Sequence, residues 1–114
     1  MDIDDPTITN ADRYVLLWEN EFVRVLDYQD VPGMETTPHR HPNSVMVTLT
    51  DIDRTLFTES AERDIRLTVS QVVWLPAQVH AGRNIGTTPT HTILIELKGA
   101  AAGELGGTAL GPAV

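Results

Sequence analysis

The sequence predicts an all-β domain, built as a sandwich or barrel of short antiparallel strands. Its apolar residues come in short runs that turn residues separate, and no segment keeps a helical period over about eleven residues. Gly and Pro interrupt the chain at regular intervals, at 32–33, at Pro76 and at 86–89. Many short strands with such turns are typical of a closed all-β architecture.

The strands can be placed in chain order from the alternation of apolar residues and from the turns between them. Residues 51–54 are expected to form a charged turn. Residues 1–12 are predicted to be a flexible N-terminal segment, 13–98 the barrel domain, and 99–114 a flexible Gly/Ala-rich tail that packs, in the alternative, on a partner subunit. The predicted strands cover 13–17, 22–28, 45–50, 55–58, 65–69, 72–75 and 91–97, with a further strand around His39 and His41.

Composition excludes several classes of partner. The 114 residues suffice for one domain with one core. A formal charge of −8 argues against binding to nucleic acid and to an anionic membrane surface, and no apolar run is long enough to span a bilayer. Without cysteine the chain offers no disulfide, thiolate ligand or thiol nucleophile. Since the acidic N-terminus resembles neither a secretory signal nor a transit peptide, we expect a cytoplasmic protein.

Three of the four histidines have the spacing of a metal site. His39 and His41 alternate along one strand, so their side chains share a face, and His80 comes from a later strand. Neutral imidazole is the commonest nitrogen ligand for transition metals in proteins. Three such ligands would hold one face of a metal and leave the other face open to a small molecule. The alternative is a pair of exposed loop histidines beside Pro38 and Pro42.

Two motifs make the chain resemble the small single-domain cupins of the RmlC-like superfamily, of the conserved-barrel cupin_2 type. The first cupin motif is a Gly followed by His-x-His, and the second is Pro, Gly, then His-x₃-Asn. The matching residues are Gly33, His39 and His41 in the first motif and Pro76, His80 and Asn84 in the second. Gln78 stands where the second motif usually has its Gly.

The resemblance implies an antiparallel cupin β-barrel, also called a double-stranded β-helix or jelly roll. It implies one divalent transition metal per chain, held by His39, His41 and His80, with iron preferred and zinc, nickel or manganese as further candidates. It also implies a homodimer.

The chain departs from the first motif because it lacks the motif's glutamate. Alternation from His41 predicts that Val45 takes the glutamate position and that Val47 shares its face. A metal held by three neutral histidines would keep its full +2 charge and favour an anionic, oxygen-chelating ligand. Alternatively, the loss of a ligand means the loss of the metal. The substrate pocket is predicted to include Val45, Val47, Asn84 and Arg83. Arg83 is expected in a loop after His80, and Asn84 is also suited to fixing a turn.

These features predict a metal-dependent, oxygenase-like enzyme that acts on a small oxygen-chelating organic substrate. Two alternatives stay open at this point. One is a non-catalytic or metal-free cupin that binds a small metabolite, which the missing glutamate favours. The other is a Lewis-acid isomerase or lyase, because one barrel hosts many chemistries.

Overall fold

The computed structural model of the chain describes residues 4–113, which form nine strands, a short helix and a 3₁₀ turn. The elements are α1 (Pro6–Thr9), β1 (Tyr14–Glu19), β2 (Val23–Asp30), β3 (His39–His41), β4 (Ser44–Thr48), β5 (Ile52–Phe57), β6 (Glu62–Leu67), β7 (Val72–Leu75), β8 (Gln78–Asn84), β9 (Thr90–Leu97) and the 3₁₀ turn (Gly99–Ala102). No helix within residues 4–113 is long and apolar enough to cross a membrane.

The strands form two sheets, and every pairing between them is antiparallel. The larger sheet has the order β1-β2-β9-β4-β7, and the smaller one has the order β3-β8-β5-β6. The repeated crossing of the chain between the sheets makes a jelly roll rather than a meander. The predicted antiparallel all-β barrel is therefore confirmed.

The core lies between the sheets because the inward face of most strands is buried, and β4, β7 and β9 alternate regularly. In β9, for example, Thr92 and Leu94 are buried, whereas Ile93 and Ile95 lie on the outer face of the larger sheet. The buried apolar side chains come from both sheets and form one cluster: Tyr14, Leu26, Tyr28, Met46, Ile52, Leu56, Ile65, Leu67, Val73, Leu75 and Leu94.

Two stretches of the sequence prediction need correction. The charged segment 51–54 is not a turn, because β5 begins at Ile52 and carries Arg54 into the barrel. The Arg54 guanidinium is compensated there by Asp30, its Nη1 atom lying 2.5 Å from a carboxylate oxygen. A charged residue can lie inside a barrel when its counter-ion is buried beside it. The counter-ion of Arg54 lies 24 positions away in the sequence, so the local pattern did not reveal it. Arg83, which was expected in a loop, lies in β8.

Both terminal segments contact the barrel in the described part of the chain. Asp5 caps α1 by accepting a hydrogen bond from the Thr7 amide at 2.8 Å, and Asn10 accepts one from the Thr37 amide at 2.9 Å. At the other end Pro112 is fully buried. Flexibility of 1–12 and 99–114 stays a prediction, and residues 1–3 and 114 lie outside the described residues.

Candidate metal centre

The fold brings the three predicted histidines together inside the barrel. β3 supplies His39 and His41 on its inward face, and β8 places His80 directly opposite His39 in the antiparallel register. The side chains are only 1%, 1% and 6% exposed. Their ring centroids are 4.8 to 5.1 Å apart, and one nitrogen from each ring lies within 4.8 Å of the others. The three could therefore hold one metal ion.

Each imidazole has its Nδ1 atom in contact with an oxygen that can only accept a hydrogen bond. The acceptors are the Thr37 carbonyl for His39 at 2.7 Å, the Glu96 carboxylate for His41 at 2.9 Å and the Gln78 amide oxygen for His80 at 2.7 Å. These contacts assign the proton to Nδ1 and leave the lone pair of Nε2 for a metal. Metal-binding histidines characteristically have their second nitrogen engaged in this way. The donor set therefore fits a transition metal.

The electrostatic environment keeps two of these rings neutral. Burial, and to a lesser degree the adjacent His41, lowers the pKa of His39 to about 3. The same two causes, in the same order, hold the pKa of His80 well below its usual range. Since a histidine must be neutral to bind a metal, neither ring has to lose a proton first at neutral pH.

Tyr14 is a residue of the site that sequence reasoning missed. Its hydroxyl lies 3.2 Å from Nε2 of His39 and 3.4 Å from Nε2 of His41. Burial holds the pKa of the Tyr14 phenol well above its usual range, so the hydroxyl keeps its proton and can donate it to either nitrogen. The sequence signal was weak, since Tyr14 reads as an ordinary apolar residue of the first strand.

Glu96 is the second residue that the sequence did not reveal. It is only 2% exposed and lies behind His41, where Arg24 pairs with it at 2.7 Å. Arg24 also pairs with Asp5 at 2.7 Å, so Glu96, Arg24 and Asp5 form a partly buried network of charges. The chain therefore has a carboxylate at the site, in contact with a histidine rather than in the ligand set.

The prediction that Val45 takes the glutamate position and faces the histidines is wrong. Met46, not Val45, lines the cavity, and Val45 and Val47 lie on the opposite face of β4. The alternation could not be carried over from His41, because β3 ends there and β4 begins only at Ser44. Pro42 lies in the break and has no backbone N–H with which to continue a ladder.

Arg83 and Asn84 also lie outside the cavity lining. The guanidinium of Arg83 pairs with Glu35 at 3.3 Å on the protein surface. The Asn84 amide donates to Asp30 at 3.0 Å and to the Thr88 carbonyl at 3.0 Å. Asn84 therefore fixes the connection between β8 and β9, which was the alternative role.

The cavity beside the histidines is small and mostly apolar. Its volume is about 50 Å³, room for roughly three to five water molecules. Apolar side chains from both sheets form most of its wall, namely Met46, Ile52, Leu56, Ile65, Leu75, Leu94 and Pro112. Arg54 also reaches this wall, with its charge balanced by Asp30 and its Nη2 atom donating to the Tyr28 hydroxyl at 3.1 Å. Such a cavity admits only a small ligand.

Comparison with solved structures supports the cupin fold. A cupin domain from Bordetella pertussis Tohama I superposes with a TM-score of 0.70 at 28% sequence identity, covering 75% of this chain and 92% of its own. Further cupin and double-stranded β-helix proteins share the fold. The sequence matches no protein-family model and no curated protein.

Two of the structural neighbours have names that state an activity. The polyketide cyclase RemF from Streptomyces resistomycificus superposes with a TM-score of 0.56 at 12% identity, covering 74% of this chain and 63% of its own. A predicted oxalate decarboxylase from Thermotoga maritima superposes with a TM-score of 0.52 at 16% identity, covering 75% of this chain and 79% of its own. At these identities the likeness shows a common fold.

Proposed function

We propose that this chain, which is a small single-domain cupin, binds one divalent transition metal through His39, His41 and His80, with iron preferred. We further propose that it is an oxygenase-like enzyme acting on a small oxygen-chelating organic substrate. The observation that carries the proposal is the hydrogen bonding of the three rings. Each Nδ1 atom is held by an acceptor, which leaves Nε2 for a metal, and one nitrogen from each buried ring lies within 4.8 Å of the others.

The residues of the chain define what such a site can do. Bound iron would supply dioxygen chemistry, whereas zinc, nickel or manganese would supply a Lewis acid. Three neutral imidazoles leave the charge of the ion uncompensated in the ligand set, which favours an anionic oxygen ligand. The apolar wall excludes bulk water, and the Tyr14 hydroxyl offers a proton beside His39 and His41.

Size restricts the substrate class. A cavity of about 50 Å³ suits a ligand of a few non-hydrogen atoms, such as a short carboxylate or a small enolate. Two adjacent oxygens on such a molecule would satisfy the open coordination positions. The neighbouring predicted oxalate decarboxylase is consistent with a small oxygen-rich ligand in this fold.

One observation favours the alternative of a metal-free barrel that binds a small metabolite. The Tyr14 hydroxyl lies within hydrogen-bonding distance of two of the three Nε2 atoms, so the rings have a protein partner without an ion. A Lewis-acid isomerase or lyase would use the same histidines as the oxygenase and differ only in the metal.

We also propose a cytoplasmic homodimer. All five strands contribute apolar side chains to the outer face of the larger sheet, and Trp18 at one edge is 57% exposed. Val25, Val45, Ile93 and Ile95 lie half-buried on the same face. Contiguous apolar surface mediates protein–protein contacts more often than scattered apolar residues do, and a second copy would cover it.

The experiment that tests the metal proposal is elemental analysis of tag-free protein purified anaerobically without chelators. We expect close to one iron per chain, and oxygen consumption with small carboxylates, diketones or enols would then follow. Zinc, nickel or manganese at the same stoichiometry would favour the Lewis-acid alternative. No metal, with none taken up on titration, would leave the metal-free binding barrel.

A matched pair of histidine variants supplies the control. His41→Ala should lose the metal and keep its β-rich circular dichroism. His91→Ala should keep the metal, because His91 lies outside the cluster and pairs with Asp27 at 2.7 Å. Loss of metal from both variants would contradict the three-histidine assignment.

A further inference from the structure

Gln78, which replaces the usual glycine of the second motif, connects the C-terminal tail to a candidate metal ligand. Its Oε1 atom accepts two hydrogen bonds, from Nδ1 of His80 at 2.7 Å and from the Gly111 amide at 2.7 Å. Its Nε2 atom donates to the Pro76 carbonyl at 2.8 Å and to the Gly111 carbonyl at 3.2 Å. Hydrogen bonds therefore hold both the oxygen and the nitrogen of the buried side-chain amide.

The tail is held against the barrel by contacts on both sides of Gly111. Nη1 of Arg63 donates to the Leu110 carbonyl at 2.8 Å and to the Pro112 carbonyl at 3.0 Å. The Ala113 amide donates to the Trp74 carbonyl at 2.9 Å. Between these anchors Pro112 is fully buried and forms part of the wall of the histidine cavity.

The contact between Gly111 and Gln78 needs a backbone conformation that favours glycine. Its φ is +84°, a conformation that side chains of L-amino acids rarely adopt. A Cβ atom there would lie 3.1 Å from Cδ1 of Leu56 and 3.4 Å from Cγ2 of Ile65. Glycine lets the chain pass close to the core and point its amide at Gln78.

This geometry decides which tautomer His80 adopts. A backbone N–H can only donate, so Gly111 requires the oxygen of the Gln78 amide, not its nitrogen, at that position. The same oxygen faces His80, which therefore carries its proton on Nδ1 and presents the Nε2 lone pair to the cavity. If the amide rotated by half a turn, its NH₂ group would face Nδ1. The proton of His80 would then move to Nε2 and block metal binding.

We propose that residues 110–112 are a functional part of the metal site. Through Gln78 they position His80 as a ligand, and through Pro112 they close the cavity and limit the size of the molecule that reaches it. This inference rests on the proposed metal function only where it predicts a change in metal affinity. The tautomer of His80 can be measured without any metal.

The first test compares wild type with a variant of the bridge in the full chain. Gln78→Leu removes the oxygen that accepts from both His80 and Gly111. Nitrogen-15 NMR of the metal-free protein should show the Nδ1–H tautomer of His80 in wild type, and a mixture or the other tautomer in Gln78→Leu. Zinc affinity, measured by competition with a chromophoric chelator, should fall about 10- to 100-fold in Gln78→Leu.

The second test addresses the tail itself. Deletion of residues 110–114 should change the His80 tautomer and weaken zinc binding as Gln78→Leu does, while Thr108→Ala, in the exposed part of the tail, should change neither. An unchanged tautomer in a folded deletion variant, or in Gln78→Leu if the deletion variant does not fold, would overturn the proposal. If wild type takes up no zinc yet its tautomer depends on Gln78, the metal function fails and the positioning role of the bridge stands.

The third test concerns Pro112 as part of the wall of the histidine cavity. Pro112→Gly keeps the Gly111 amide but removes the ring from the cavity. With the cobalt-substituted protein, we expect imidazole to bind at least tenfold more tightly to Pro112→Gly than to wild type, and azide to bind equally to both. Equal imidazole affinities would overturn the assignment of Pro112 as a limit on ligand size.

Discussion

The carboxylate of Glu96 accepts a hydrogen bond from Nδ1 of His41 at 2.9 Å, across 55 positions of the sequence. The first cupin motif has a glutamate that this chain lacks, yet a buried carboxylate is still in contact with the histidine cluster. Its negative charge is shared with Arg24, which pairs with it at 2.7 Å. The carboxylate thus orients His41 and is not among the three side chains that could hold a metal ion.

Replacing Glu96 should therefore weaken metal binding without removing a ligand. Glu96→Gln keeps an oxygen that can accept from His41 but loses the charge. We expect zinc affinity to fall about tenfold in Glu96→Gln, within the range found for partners of metal ligands. Glu19→Gln is the matched control, because Glu19 forms an exposed pair with Lys98. Equal zinc affinities in Glu96→Gln and wild type would remove Glu96 from the site.

The metal-free protein should lose stability as pH falls from 7.5 to 5. Unfolded histidines take up a proton near pH 6.5, whereas the pKa of folded His39 is about 3 and that of His80 is also lowered. Below pH 6.5 the unfolded state therefore binds more protons, and each histidine reduces the unfolding free energy by about 1.4 kcal/mol per pH unit.

Urea denaturation at several pH values measures this effect. A variant with both His39→Gln and His80→Gln should show a flatter dependence than wild type. A wild-type stability that does not change between pH 7.5 and 5 would contradict the burial of neutral histidines.

Tyr14→Phe should destabilise the metal-free protein more than the metal-bound one. The substitution removes a hydroxyl that lies near Nε2 of His39 and His41, and leaving buried polar atoms without that partner costs about 1–3 kcal/mol. A bound metal would engage the same nitrogens and offset the loss. The increase in thermal unfolding temperature on adding zinc should therefore be larger in Tyr14→Phe than in wild type. An equal increase would show that the hydroxyl and the metal do not share these nitrogens.

The apolar outer face of the larger sheet should mediate self-association. Trp18→Glu places a charge on that face and should convert a dimer to a monomer in analytical ultracentrifugation at tens of micromolar protein. Val79→Glu, on the smaller sheet, is the control, because Val79 is also exposed at 43% but lies on another surface. Wild type that sediments as a monomer would contradict the homodimer.

The sequence predicted the fold and the histidine trio because both depend on local pattern. Alternation and turn residues place most strands, and the two histidine motifs need only their spacing. Val45 was misplaced because Pro42 interrupts the strand, and alternation is lost across a break. Arg54 was assigned to a turn because its counter-ion Asp30 is distant in the sequence.

Residues that act on the histidines from elsewhere in the chain could not be predicted. Glu96 and Tyr14 reach the cluster only through the pairing of β1, β2 and β9 in the larger sheet. Gly111 lies in a stretch of small residues whose composition indicates a flexible tail. Its contact with Gln78 depends on a positive φ and on the packing of the tail against the barrel. Neither can be predicted from the local sequence pattern.

X-ray absorption spectroscopy of the zinc-loaded protein identifies the side chains that hold the metal. We expect one zinc per chain with three imidazole nitrogens at about 2.0–2.1 Å, and two in His80→Ala. If the protein takes up no zinc, or if a carboxylate oxygen replaces one of the three imidazoles as a ligand, the three-histidine site is wrong.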